Sequence, residues 1–143
     1  MIQIVYNILT GAPPVAAPLD NSNVHAEGAD IEEGVVIKVD ASGAAGDTGK
    51  AAKATDTGAD AVGVTVAKAD QNDLVRFQWL KPGDVLRGTA AAELQVGDDC
   101  KFNSDLDGFD DGSGSTVKVI RTEEDADGDH KIVYGILTAA ALY

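Results

Sequence analysis

Apolar and polar positions alternate in short runs along most of this chain, and nearly every run closes on Gly, Asp or Pro-Gly. Ile2, Ile4, Tyr6 and Ile8 alternate with Gln3, Val5, Asn7 and Leu9, the period of two expected of a strand. The stretch Gly11–Pro18 holds three prolines, which remove backbone donors and fix φ, so neither a regular helix nor a central strand fits there. Residues 1–23 therefore read as an extended N-terminal arm, a sticky strand on a Pro-rich tether, ahead of a β body over residues 24–143.

Within the body, Val35, Ile37 and Val39 alternate with Val36 and Lys38 in a strand ended by Asp40-Ala-Ser-Gly43. A weak Ala-rich strand is predicted over Lys50–Ala54, then a turn over Asp56–Asp60. Val62, Val64 and Val66 share one face of the next strand, with Gly63 and Thr65 on the other. A strand over Leu74–Leu80 puts Val75, Phe77 and Trp79 on one face, opposite Arg76 and Gln78. Lys81-Pro-Gly-Asp84 places Pro and Gly as a type II turn requires. Ala90–Leu94 is the one place suited to a short helical turn, with Thr89 as its N-cap. A short strand over Cys100–Phe102 precedes a loop over Asn103–Ser115. Val117–Arg121 and Lys131–Thr138 complete the set, joined by the acidic hairpin tip Glu123–Asp129.

About nine short strands with turn signals between them predict a mainly β chain, a compact barrel- or sandwich-like domain. One internal echo stands out. Ile4–Ala12 and Ile132–Ala140 are identical at seven of nine positions, which suggests equivalent edge positions, one in the body and one on a neighbouring chain.

Composition narrows the function. The chain of 143 residues suits one domain with its own core. Its formal charge of −13 makes nucleic acid a poor partner, because phosphate recognition needs Lys and Arg. Cys100 is alone, so no intrachain disulfide forms. The first twenty-five residues lack Lys and Arg, and no apolar run reaches membrane-spanning length. The expectation is folding in a reducing cytoplasm, with no membrane partner.

Reactive constellations are scarce. Gly43–Lys50 misses the phosphate-loop pattern, with Ala44 where Gly is required and Ala51 where Ser or Thr is required. Asp105, Asp107, Asp110 and Asp111 are calcium candidates, since closely spaced carboxylates supply oxygen ligands, and Glu123–Asp129 supplies five more acids. Neither loop completes an EF-hand. Phe109 and Asp110 break the pattern in the first, and Tyr134 stands where the second needs a bidentate Glu. His25 and His130 belong to no metal spacing, and Cys100 reads as a small core residue. The chain is expected to be no enzyme and to carry no cofactor. Phe77 and Trp79 read as core residues, with an oligomer interface as the alternative.

The ordered string Gly49-Lys50, Thr57–Val66, Ala69-Asp-Gln71, the strand through Phe77, and Gly83 resembles the central part of lambda-type head decoration (capsid cement) proteins of tailed bacteriophages. Val35–Asp40 fits the strand before it. The resemblance runs over roughly residues 28–86 and stops short of the acidic loop Asn103–Ser115 and the tail after Thr116. It implies a β-tulip-like domain, a homotrimer on the outer surface of the virion, and a major capsid protein as partner. It also implies that the arm adds a strand to the coat, here through Ile2, Ile4, Tyr6 and Ile8. The rival expectation is a virion-surface β-domain that binds host glycan or calcium.

Overall fold

The computed structural model describes residues 1–9, 25–26, 28–40, 49–55, 58–112 and 116–139. The Pro-rich tether, the phosphate-loop-like Gly43–Thr48, Asp56-Thr57 and the last residues of the echo lie outside them. The described residues form eleven strands: β1 (Gln3–Asn7), β2 (His25–Ala26), β3 (Val36–Asp40), β4 (Lys50–Lys53), β5 (Gly63–Thr65), β6 (Phe77–Trp79), β7 (Asp84–Thr89), β8 (Asp99–Phe102), β9 (Phe109–Asp111), β10 (Val117–Glu123) and β11 (Ile132–Leu137).

They build two sheets, one of order β1-β7-β11-β10-β8-β9 and one of order β2-β4-β3-β5-β6. The architecture is the expected compact sandwich- or barrel-like β domain. Both sheets curl. A bridge between Ala90 and Phe109 brings the β9 edge of the larger sheet back toward the end of β7, and a bridge between His25 and Leu74 does the same for the smaller sheet. In the larger sheet, bulges at Val5 and Ile120, where the register shifts by one residue, bend their strands and add to the curl.

The core is continuous across both sheets and is filled by Val, Ile, Leu and Ala with three phenylalanines, Phe77, Phe102 and Phe109. Gly63, Val64 and Thr65 of β5 are all buried, so this strand is covered on both faces rather than one. Thr65 is tolerated there because its hydroxyl donates to Glu32 O (2.6 Å) and accepts from Val35 N (3.0 Å).

Several expectations are corrected. Among the described residues there is no helix, and Ala90–Leu94 does not form a helical turn. Thr89 instead pairs with Ile132 at the end of β7, and Ala90 N donates to Lys131 O (2.8 Å), so the sheet takes the donors a helix would need. The loop over Asn103–Ser115 contains β9, whose Phe109 is fully buried and stacked on Phe102 with centroids 5.9 Å apart. Leu74–Leu80 is strand only over Phe77–Trp79, because Leu74 bridges to His25 instead.

Candidate functional site: an apolar edge strand and its cleft

β1 is the edge strand of the larger sheet and lies antiparallel to β7, with Ile4 opposite Leu86 and Tyr6 opposite Val85. Ile2 and Ile4 were expected to press on a foreign shell. They are 1% and 7% exposed and belong to the chain's own core. The reason is alternation against β7: the face that carries Ile4 lies over Leu86, and the bulge at Val5 then turns Val5 and Tyr6 outward together. Tyr6 is 38% exposed, Ile8 49% and Leu9 75%, so the exposed part of the predicted contact set is its second half.

A buried carboxylate holds the end of this strand. Asp84 is inaccessible to solvent, yet its Oδ1 accepts from Asn7 Nδ2 (2.8 Å) and Lys81 Nζ (3.1 Å), and its Oδ2 accepts from Lys81 N (2.9 Å). Asn7 Nδ2 also donates to Pro82 O (3.1 Å), and Ile8 N donates to Gly83 O (2.7 Å). Gly83 has φ of +87° as the type II turn demands, and a Cβ there would stand 2.7 Å from Leu9 Cγ. The turn over Lys81–Asp84 is thus the clasp that seats β1.

The echo finds a different placement from the one expected. β1 and β11 flank the same strand, β7, within one chain, since Tyr6 and Ile136 both sit opposite Val85 and Gln3 and Tyr134 both sit opposite Arg87. The two segments are not in equivalent register, however: Tyr6 faces Val85 where its counterpart Tyr134 faces Arg87, and Ile4 is buried where its counterpart Ile132 is only partly so.

On the outer face of this sheet one cross-strand row runs Gln3, Arg87, Tyr134, Arg121. The Arg121 guanidinium lies 5.0 Å from the Tyr134 ring centroid, and Arg87 Nε donates to the Tyr134 hydroxyl (3.3 Å). Glu123 pairs with Arg121 and accepts from the same hydroxyl. Arg87 makes no ion pair among the described residues. No motif announced this row, because it exists only through sheet register. The one hint in the sequence is that Arg121 and Tyr134 fall in predicted strands, Val117–Arg121 and Lys131–Thr138.

A cleft of about 410 Å³ runs round the free edge of β1, lined by Ile4, Val64 and Val66 with Glu33, Gln78 and Arg87 at its margins. Apart from Ile2 N donating to Gly34 O (2.8 Å), the far edge of β1 meets no strand among the described residues.

The remaining candidates fall out differently. Phe77 is fully buried, which removes it from any oligomer interface; its ring meets Trp79 edge-on at 4.5 Å. Trp79 is half-buried and packed on the core. Asp105, Asp107, Asp110 and Asp111 sit along the β8–β9 hairpin but do not converge. Asp107 is engaged with Asn103, and Asp110 and Asp111 are successive strand residues that point to opposite faces. Among the described residues no three His, Cys, Asp or Glu side chains are grouped to hold a metal ion. In the hairpin tip Asp125 accepts from Asp127 N and Asp129 N, so its carboxylate closes the turn. Elsewhere on the surface, Glu32, Asp30 and Asp70 surround Lys68 and raise its pKa.

Cys100 lies in the core, and burial, reinforced by Asp99, Asp98 and Asp111, pushes its thiol from 9.0 up to about 12. A thiol held neutral in the fold stabilises it fully below pH 9.0, and that contribution is lost as pH rises toward about 12. Two results are expected: negligible labelling by a thiol reagent at pH 8 until the chain is unfolded, and alkaline loss of stability that a Cys100→Ala variant reduces. Rapid labelling of the folded chain would contradict the buried placement.

No protein-family model matches this chain, and no curated protein matches it.

Proposed function

We propose that this chain is a capsid cement protein: it binds the outside of a tailed-phage head as a homotrimer and locks neighbouring major capsid subunits. It would be made in the bacterial host cytoplasm and act on the virion surface. The observation that supports this best is the N-terminal edge strand, whose outer side pairs with no strand among the described residues and which leaves Val5, Tyr6, Ile8 and Leu9 exposed. Such an edge is a template for another strand unless something covers it. The resemblance over residues 28–86 gives the class of partner.

Strand addition supplies main-chain hydrogen bonds, and alternate side chains set register. Here Ile2, Ile4 and the Asp84 clasp keep β1 on its own body, so the coat strand adds to β1 rather than receiving a detached arm. Burying Tyr6 and Ile8 would contribute on the order of 3–6 kcal/mol gross, less the cost of ordering the coat segment. One contact of that size is weak, and three on one trimer act together through effective concentration.

The test uses expanded heads stripped of this protein. Wild-type protein is expected to co-sediment with them and raise their resistance to heat. Tyr6→Ser combined with Ile8→Ser is expected to keep its melting temperature and lose head binding by at least about tenfold, since each site forfeits apolar burial. A double variant that binds like wild type would remove the edge strand from the mechanism, and wild-type protein that ignores the heads would remove the cement reading itself.

A further inference from the structure

The cleft beside β1 contains a cation that makes no ion pair among the described residues. Arg87 is half-buried at its margin and has no carboxylate partner among the described residues, although the chain carries 24 acidic residues. Among the described residues its side chain contacts Tyr134, through the hydroxyl and with the guanidinium carbon 6.0 Å from the ring centroid. Around the same strand edge lie Ile4 and Val64, which are buried in the core, and the partly buried Val66. An alternating strand laid along β1 would therefore meet the partly buried Val66 with one set of side chains and a guanidinium with the other.

Resting on the reading of β1 as a docking edge, we propose that the cleft accepts an extended partner segment of alternating apolar and polar residues, with an acidic side chain directed to Arg87 across Gln3. The register supports the reach. Gln3 is the residue of β1 opposite Arg87, so an added strand lies two strand spacings from β7, roughly 9–10 Å. Extended arginine and glutamate side chains together cover that gap above the short crossing. The Tyr134 contact holds the guanidinium in place, so less side-chain freedom is lost when the carboxylate arrives. Glu33, which also lines the cleft, makes no ion pair among the described residues and opposes an acidic guest. The partner class is thus an acidic strand of the coat, positioned by one carboxylate.

The probes are a capped peptide, Ser-Val-Thr-Val-Glu-Val-Ser, and its twin with Gln in place of Glu, titrated into the full chain by NMR. The Glu peptide is expected to shift the amides of β1 and to bind at least about tenfold tighter than its twin, because a charge-assisted hydrogen bond is lost in the latter. Arg87→Gln is expected to abolish that preference while leaving the melting temperature unchanged, and Glu33→Gln to strengthen Glu-peptide binding. Equal binding of the two peptides, or none by either, overturns the proposal. So does an Arg87→Gln effect on self-association of the protein alone with no effect on peptide preference, which would make the guest another copy. Head binding separates this from the cement reading: Arg87→Gln that fails the peptide test but still coats heads sinks only the acidic guest.

Discussion

Gly63→Ala is expected to destabilise the domain by about 3 kcal/mol, the upper range for overpacking a filled core. The added methyl would fall inside the van der Waals envelope of the Phe77 ring and 2.7 Å from Gln78 O, a backbone atom that cannot swing away. Both neighbours belong to β6, which pairs directly with β5 through Gly63 and Trp79. Relief of the clash must therefore come from sliding the edge of the smaller sheet, at the cost of the Phe77–Trp79 ring contact. A double-mutant cycle gives the sharper measurement. Phe77→Leu alone is expected to cost about 1–2 kcal/mol as a large-to-small core change. Combined with Gly63→Ala it should cost less than the sum, since the smaller side chain yields room, with the Gln78 carbonyl preventing full rescue. Urea midpoints of the four proteins report this, and strict additivity would show that the ring does not occupy the space over Gly63.

Removing residues 2–7 is expected to leave a chain that is barely folded. Burial of Ile2 and Ile4 is worth about 1.5–3 kcal/mol each, and loss of Asn7 strips a donor from the buried Asp84 carboxylate at about 1–3 kcal/mol more. The total is comparable to the whole stability of a domain this size. Asn7→Ala isolates the last part: it should lower stability by about 1–3 kcal/mol, and Asp84→Asn should cost a similar amount by weakening the Lys81 contacts. Thermal melts of the truncated chain decide the matter. A truncated protein that melts within a few degrees of the full chain would restore the picture of a dispensable arm. The expected outcome also changes how docking should be tested, because an arm deletion unfolds the body and cannot separate binding from folding. Substitutions at the exposed Tyr6 and Ile8 can.

The period-two pattern placed most of the strands where they are found. Val36–Asp40, Lys50–Lys53, Asp99–Phe102, Val117–Glu123 and Ile132–Leu137 lie within a residue or two of their predicted bounds. The Pro-Gly turn before β7 was equally legible, because φ constraints act on single residues. β9 was missed because Asp110, Asp111 and the flanking glycines read as loop. What makes it a strand is Phe109 reaching the core beside Phe102, a contact that local polarity does not encode. The helical turn at Ala90–Leu94 failed for the converse reason, since Ala propensity is weak beside a waiting carbonyl on Lys131.

Alternation along residues 2–9 revealed a strand with an apolar side, and the scarcity of paired reactive groups steered away from catalysis; both are properties of neighbouring residues and need no third dimension. Which sheet that strand joins, which of its apolar residues are spent on the chain's own core, and that Arg87 and Arg121 flank Tyr134 were decided only by the fold. Those facts depend on register between segments some eighty residues apart, held by the buried Asn7–Asp84 clasp, and register is a property of packing that no single stretch of sequence carries.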